Sequence, residues 1–246
     1  MKRLLPVLAL APLVSGCIGA GFSAHRTSAL DGYFESYNTQ NTALLQTPHE
    51  GVSTLTGEEY TLWLFPGMFG IGQSTMSGSS TATFNNGGTH TVDVRTEDLL
   101  IQSGYPINAQ GSVADAIASQ RFTVNAHLDV HWRKTSVMLT QVNGGATAGA
   151  TETRRYTGDA MGIRPGVSAN VILGSFGSIG VRGRAFVGYD VPVFQNETLS
   201  RLYVNYLARE YVNGSETLDE SKGIKANLNG FTGSAGLILT FDCGCF

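Results

Sequence analysis

The sequence predicts an all-β protein that folds as an antiparallel up-and-down β-barrel of about eight strands, or ten if two marginal segments also form strands. Segments in which apolar and polar residues alternate recur along the chain, and turns that contain Gly or Pro separate them. The chain holds 31 Gly and only 14% charged residues. Its mean hydropathy of 0.00 is too low for a bundle of membrane helices but suits strands in which every second residue is apolar.

The clearest strand is Phe122–Trp132, where the alternation continues without a break. At ~3.3 Å per residue such a strand spans about 36 Å. A strand that crosses a bilayer needs about 9–11 residues, whereas the average strand of a soluble protein has about 5–6. We therefore expect a membrane-spanning barrel with one face of this strand turned to hydrocarbon. That face carries Phe122, Val124, Ala126, Leu128, Val130 and Trp132.

Three weaker strand signals precede this segment. Residues 60–65 have high β-propensity and are followed by a Pro-Gly pair. Residues 77–84 alternate weakly, and a further alternating run at 90–95 follows the turn signal Asn86-Gly87-Gly88. Residues 97–119 break the β pattern, so a short helix or a long loop is predicted there.

The alternation returns after a charged turn predicted at Arg133 and Lys134. The later strand segments are 136–142, 167–173, 179–189, 202–209 and 234–241. Aromatic residues near strand ends are typical of the girdles that mark the two surfaces of a membrane. The candidates here are Tyr60, Trp63, Trp132, Tyr189 and Tyr206.

The beginning of the chain has the features of an export signal. Lys2 and Arg3 precede an apolar run at 4–13. The sequence then reads Leu-Val-Ser-Gly-Cys, ending at Cys17, and this motif resembles the lipobox of bacterial lipoproteins. The alternative is an ordinary signal peptide with a cysteine that falls there by chance.

The lipobox resemblance implies the following organisation. Residues 1–16 would be a removed signal peptide, and Cys17 would carry covalent lipid, including palmitate. Residues 17–58 would form a lipidated tether, and 59–246 the barrel domain. Because Ile18 rather than Asp follows the cysteine, the resemblance also implies that the sorting machinery delivers the lipoprotein to the outer membrane.

The segment 234–241 reads Ser-Ala-Gly-Leu-Ile-Leu-Thr-Phe. It resembles the C-terminal strand signal of bacterial outer-membrane β-barrels, such as OmpA-like and porin-type domains. The resemblance implies that Gly236, Leu239 and Phe241 are read by the outer-membrane assembly machinery and that this strand closes the barrel. The chain continues to Phe246, whereas these barrels usually end at the aromatic residue of the signal.

Polar residues on two strands are predicted to face the lumen. His127, Asp129 and His131 share one face and follow each other at roughly 6.6–7 Å, which is too far apart for all three to bind one metal ion. Arg182 and Arg184 are expected to pair with acids such as Asp129 and to fill the interior. The alternatives are an acid–base or metal role for the first group, and an anion-binding or lipid-headgroup site for the two arginines.

No catalytic motif is recognisable, so we expect no enzyme activity, no cofactor other than covalent lipid, and no metal site. A net charge of −3 gives no basic face for nucleic acid. A lipid-modifying enzyme remains an alternative. Its candidate catalytic residues would be Ser119, Ser136, His131 and Glu97.

The function expected from the sequence is that of a lipid-anchored outer-membrane barrel with a structural, adhesive or surface-interaction role. Its partners would be membrane lipid and a protein at the surface or in the periplasm. The other alternative is a soluble periplasmic or surface lipoprotein, a β-sandwich or lipocalin-like barrel that binds a ligand or a partner protein. Its apolar strand faces would point inward.

Overall fold

The computed structural model describes residues 17–28, 30–65, 68–109, 121–143, 151–195, 198–202, 224–226 and 228–241. These residues form strands and one helix. In chain order the elements are β1 (Cys17–Arg26), α1 (Asp31–Gln40), β2 (Leu45–Thr47), β3 (Thr54–Phe65), β4 (Phe69–Phe84), β5 (Thr89–Pro106), β6 (Phe122–Val142), β7 (Thr151–Phe176), β8 (Ile179–Gln195), β9 (Thr198–Leu202), β10 (Ile224–Lys225) and β11 (Gly230–Phe241).

Eight of the strands form a closed antiparallel ring in the order β1-β3-β4-β5-β6-β7-β8-β11. The pairing of β11 with β1 completes the ring, from Thr240 opposite Cys17 to Thr232 opposite His25. Closure removes the unpaired edges that an open sheet would expose. The prediction of an all-β, eight-stranded up-and-down barrel is therefore confirmed.

The two ends of the ring differ. The terminal end holds Cys17, Phe241 and the two-residue turn between β7 and β8. The loop end holds α1 and the long connections between β1 and β3 and between β8 and β11. Strand β2 adds to β4 at the loop end, and β9 with β10 extends the wall beside β7.

Near the terminal end, most outward side chains are apolar and most inward side chains are polar, although the apolar Trp63, Leu100, Phe186 and Ile238 also point inward. On β6, Leu128 is 55% exposed and Trp132 58%, whereas Asp129 between them is fully buried. The outward apolar side chains of all eight strands form a continuous surface that we call the membrane belt. It includes Phe22, Leu64, Ile71, Leu99, Ile101, Leu128, Trp132, Val167, Val171, Val187, Phe231, Leu237 and Leu239.

Toward the loop end the same strands reverse this pattern. The reversal begins where Glu97 of β5 lies opposite Lys134 of β6. Beyond this pair, inward positions such as Val94 and Val137 are apolar and buried, whereas outward positions such as Arg95 are polar and exposed. We call the wall at 75–97, 134–142 and 151–159, together with α1, the outer body.

Helix α1 covers the interior of the outer body. Leu30, Phe34 and Tyr37 lie three or four residues apart, so they share one face of the helix, and all three are buried. They close an apolar core with wall residues and with residues that precede β11. This core contains Leu30, Phe34, Val52, Leu55, Met76, Val92, Val94, Val137, Leu139, Tyr156, Ile224, Ala226 and Leu228. No helix in the described residues is long and apolar enough to cross a membrane.

The N-terminal tether predicted at 17–58 is wrong. Strand β1 pairs with both β3 and β11, so the first described residues are part of the ring. Residues Asp31–Gln40, in the same range, form a helix. The prediction failed because β1 is rich in Gly, Ala and Ser, and its small residues conceal the alternation.

Three other details also differ from the sequence-based predictions. Strand β5 continues through residues 97–106, and 110–120 lie outside the described residues. Arg133 and Lys134 lie within β6 rather than in a turn. Trp63 is 1% exposed and points into the lumen, so it is not part of a girdle, whereas Trp132, Tyr60 and Tyr189 face outward. Tyr206 and most of the strand predicted at 202–209 lie outside the described residues.

The β1–β11 seam provides a test of the closure. Gly236 lies directly opposite Gly21, and a Cβ at 236 would collide with the carbonyl oxygen of Ala20 and with Cα of Gly21. We predict that Gly236→Ala destabilises the barrel by about 1–3 kcal/mol, the usual cost of overpacking. Unfolding of purified protein in detergent, followed as loss of the fast-migrating band on unboiled gels, measures this.

Gly233→Ala on the same strand is the matched control, because a Cβ there meets only the carbonyl oxygen of Phe186, at 3.7 Å. Refolding without any assembly machinery separates steric closure from a role of Gly236 as a recognition signal. Equal stability of the two variants would show that the seam does not require glycine.

Candidate functional site

The lumen within the membrane belt is filled with polar and charged side chains. They form two groups, which we call the upper cluster, toward the outer body, and the lower cluster, toward the terminal end. The upper cluster consists of His25, Asp98, His131, Arg133, Arg164, Asp190 and Thr232. The lower cluster consists of Glu59, Thr61, Trp63, Gln102, His127, Asp129, Ser168, Arg184 and Phe186.

Arg133 is the centre of the upper cluster. Its Nε donates to Asp98 Oδ1 at 2.8 Å and its Nη2 to Asp98 Oδ2 at 2.7 Å, so the pair is bidentate. The same Nη2 donates to Asp190 Oδ2 at 2.8 Å. Arg133 is 1% exposed and the two acids no more than 2%. Three strands, β5, β6 and β8, are thereby joined across the lumen.

Arg164 of β7 completes the charge balance of the upper cluster. Its Nε donates to Asp190 Oδ1, and its Nη2 lies 3.6 Å from Asp98 Oδ2. Two arginines therefore face two aspartates in a space without access to water. Buried charges are tolerated only when they are paired and hydrogen-bonded, so this network supports the ring only as a complete set.

The upper cluster also holds the segment that leads into β11. His25 Nε2 donates to the carbonyl oxygen of Leu228 at 2.8 Å, and Arg133 Nη1 donates to the same oxygen at 3.2 Å. Thr232 Oγ1 donates to Asp190 Oδ2 at 3.1 Å. The side chain of Leu228 meanwhile packs in the apolar core of the outer body. The lumen is thus closed by the charge pairs of the upper cluster and, toward the loop end, by the apolar core of the outer body.

The lower cluster is built around Glu59 and Arg184. Gln102 Nε2 donates to Glu59 Oε1 at 3.0 Å, and Arg184 Nη1 lies 3.4 Å from the same oxygen. The Arg184 guanidinium also lies over two rings, 4.9 Å from the centroid of Trp63 and 5.2 Å from that of Phe186. Such cation–π contacts hold the guanidinium plane in one orientation.

The structure places every predicted lumen residue on the inner face. His127 Nε2 lies 2.7 Å from Ser168 Oγ, and its Nδ1 lies 3.5 Å from Asp129 Oδ1. His131 belongs to the upper cluster instead, with its Nδ1 3.9 Å from Asp190 Oδ1. Arg184 is in the lower cluster. Arg182 lies two residues before it on the same inner face and is half-buried.

Sequence reasoning missed the acids and arginines that matter most in the upper cluster. They are Asp98, Arg133, Arg164 and Asp190. A signal for Arg133 was present, because it is the next residue after His131 on the polar face of β6. No group of three or more His, Cys, Asp or Glu side chains is placed to hold a metal ion in the part of the chain that the structure describes.

The three described residues considered for lipid-modifying chemistry do not meet. His131 points into the lumen, whereas Glu97 and Ser136 belong to the outward face. Ser119 lies outside the described residues. Ser136 instead accepts a hydrogen bond from Arg155 Nε at 2.9 Å.

A third group of side chains fastens α1 and the following loop to the wall of the outer body. His49 Nε2 and His90 Nδ1 lie 2.8 Å apart, and Tyr37 stacks on His90 with 4.3 Å between the ring centroids. Burial lowers the pKa of His49 to about 4, and burial with the nearby His49 and Arg154 lowers the pKa of His90 to about 3. Both imidazoles are therefore neutral at pH 7, so one ring nitrogen of the pair donates its N–H and the other accepts it.

Cys17 occupies an unexpected place for a lipidated residue. It is the first residue of β1, is 6% exposed, and packs inside the barrel against Trp63 and Ile238. It forms no disulfide. Cys243 and Cys245 lie outside the described residues.

Comparisons with known proteins add a structural likeness. No family model matches the chain, and no curated protein matches it. Among solved structures, the crystal structure of the outer membrane protein OprG from Pseudomonas aeruginosa is similar, with 12% sequence identity and a TM-score of 0.44. The match covers 91% of this chain and 94% of that chain. A TM-score this low supports no statement about function, so the barrel assignment depends on the strand pairing itself.

The upper cluster makes a prediction about stability. We expect Asp190→Asn to destabilise the protein by about 3–5 kcal/mol, because the change leaves Arg164 and Arg133 buried without their shared carboxylate. Urea unfolding in detergent micelles measures the change. Asp159→Asn is the matched control, since Asp159 is exposed on the outer face of β7. A loss of less than 1 kcal/mol in Asp190→Asn would contradict a structural role for the cluster.

Proposed function

We propose that this chain is a lipid-anchored outer-membrane β-barrel with a closed lumen, and that its outer body acts at the cell surface in a structural, adhesive or other interaction role. The single observation that carries the proposal is the reversal of the side-chain pattern along continuous strands. The outward side chains of the membrane belt are apolar and suit hydrocarbon. Those of the outer body are polar and suit water.

The membrane belt supports the location. A water-soluble barrel or sandwich would bury Leu128, Trp132 and Val187, yet these side chains are 55%, 58% and 56% exposed. Large contiguous apolar surfaces on soluble monomers are rare and mark interfaces. A lipocalin-like protein would instead direct these faces inward, so the soluble alternative is disfavoured.

The filled lumen argues against a pore. Salt bridges between strands occupy the interior within the belt, and the apolar core of the outer body lies above them. A conducting barrel needs a continuous polar path, which the apolar core interrupts among the described residues. The role of the protein then lies on its surfaces, with membrane lipid around the belt and a surface or periplasmic protein as partner.

Lipidation of Cys17 is part of the proposal, and the fold sets a condition on it. The thiol points into the lumen beside Trp63, where acyl chains have no room. Because Cys17 is at the end of β1, acylation requires only this first residue to turn away from Trp63 and reach the bilayer, while Ile18 and the rest of β1 keep their pairing.

Membrane partition of Cys17→Ser distinguishes insertion of the barrel into the bilayer from anchoring by acyl chains on Cys17. The variant is expressed behind a cleavable signal peptide in place of residues 1–16. We expect it to lose palmitate labelling but to stay in the membrane after alkaline carbonate, because the belt alone holds it there. Release into the aqueous fraction would refute insertion of the barrel, and an unlabelled wild type would refute acylation.

Labelling on intact cells tests which end of the barrel faces outward. Bacterial barrels have short periplasmic turns and longer extracellular loops, so the loop end should be outside. We expect a membrane-impermeant maleimide to label Thr81→Cys, which is exposed on the outer body, in a background with Ser at 243 and 245. Ser175→Cys at the terminal end is the matched control and should react only after permeabilisation. The opposite result would reverse the orientation.

A further inference from the structure

Helix α1 and the loop that follows it are joined into one unit by an asparagine. Asn38 Nδ2 donates to the carbonyl oxygen of His49 at 2.9 Å, and the backbone N–H of His49 donates to Asn38 Oδ1 at 3.0 Å. The imidazole of His49 therefore moves together with α1. The groups that it contacts, Ser80 of β4 and His90 of β5, belong to the wall of the outer body.

The contact between the two histidines excludes a doubly charged pair. His49 Nε2 and His90 Nδ1 lie 2.8 Å apart, which is the length of a hydrogen bond with a single proton between the two nitrogens. Because both nitrogens of a charged imidazole carry a proton, two charged rings would direct two N–H groups at each other. The wall can hold α1 through this contact only while at least one of the two rings is neutral.

The surroundings of the pair do not compensate an added positive charge. His49 is 5% exposed and His90 3%. The neighbours from α1, β4 and β6 are uncharged, namely Tyr33, Phe34, Tyr37, Ser80 and Gln141. From β7 the charged neighbour is Arg154, which repels a charge on His90 and is itself paired with Glu152. Among the described residues, no carboxylate is paired with either imidazole.

We propose that His49 and His90 form an acid-sensitive latch, which holds α1 over the apolar core of the outer body at neutral pH and releases it when both rings take up protons. Release withdraws Leu30 and Phe34 from the core and uncovers apolar wall residues such as Val92 at the loop end. The pairing of β2 with β4 contains no titratable group, so it tethers the released unit to the wall.

The pH range of the latch follows from the difference between its closed and open states. Burial lowers the pKa to about 4 for His49 and about 3 for His90 in the closed state, whereas a solvated histidine titrates near about 6.5. The open state therefore takes up protons first, and opening becomes more favourable as the pH falls below about 6.5. Between pH 8 and pH 5 each ring favours opening by roughly thirtyfold, and the two together by up to roughly a thousandfold.

Hydrogen–deuterium exchange of the folded, detergent-solubilised barrel measures the opening. The amide of Phe34 donates to the carbonyl oxygen of Leu30 at 2.9 Å, and a helix of this length is marginal once it leaves the wall. Protection of 31–40 is compared at pH 8, 6 and 5 after correction for the intrinsic pH dependence of exchange. We expect it to fall by about 30- to 1,000-fold between pH 8 and pH 5, while β6 keeps its protection.

Substitutions of the two histidines assign the response to the latch. His90→Gln keeps a hydrogen-bonding group beside His49 but cannot be charged, so the fall should shrink to about the square root of that in the parent. In the double variant His49→Gln/His90→Gln, protection of α1 should no longer depend on pH, whatever its value at pH 8. Glu50→Gln is the matched control and should respond as the parent does, because Glu50 is an exposed carboxylate next to His49.

The outcomes that contradict the latch are distinct. Protection of α1 that is independent of pH in the parent overturns it, and so does an undiminished fall in the double variant. A parallel loss of protection in β6 shows that acid unfolds the whole barrel, which overturns a local release. If the double variant does not give the folded band on unboiled gels, His90→Gln decides, and a fall equal to that in the parent overturns the proposal. The measurement needs only the folded barrel, so its failure leaves the proposed function standing.

Discussion

Closure of the hydrogen-bonded ring is the constraint on which the rest of this structure depends. Unpaired backbone groups exposed to hydrocarbon cost several kcal/mol each, so a sheet in a bilayer must have no edge. The first and last described strands meet for this purpose, and the paired Gly21 and Gly236 let their backbones approach. Once the ring is closed, every strand has one face toward the outside and one toward a narrow lumen.

The narrow lumen explains the buried charges. In an eight-stranded barrel, side chains fill the interior, and most apolar residues of the belt lie on the outer face. The inner face therefore carries polar groups that must satisfy each other, as Arg133 and Arg164 do with Asp98 and Asp190. In the outer body the two faces exchange roles, as the proposed aqueous surroundings would require, and a hydrophobic core becomes available to hold α1.

Several features of the fold were predictable because they are local. The strict alternation at 122–132 gave both the strand and the correct face, with Leu128 outside and Asp129 inside. The closing position of 234–241 followed from its resemblance to barrel C-terminal strands. Strand β1 was missed because its small residues give little hydrophobic contrast between its two faces. The extension of β6 past Arg133 was missed because the apolar residues move from the outer face to the inner face there.

The sequence by itself determined many of the strand segments and which of their side chains share a face, because period-two alternation is a property of neighbouring residues. Only the tertiary structure decided which inward residues meet, since Asp98, Arg133 and Asp190 come from three strands whose alignment depends on register around the whole ring. The same holds for the surroundings of Arg184. Its neighbours Glu59 and Trp63 are more than a hundred residues distant in the chain, and no local pattern could place them beside it.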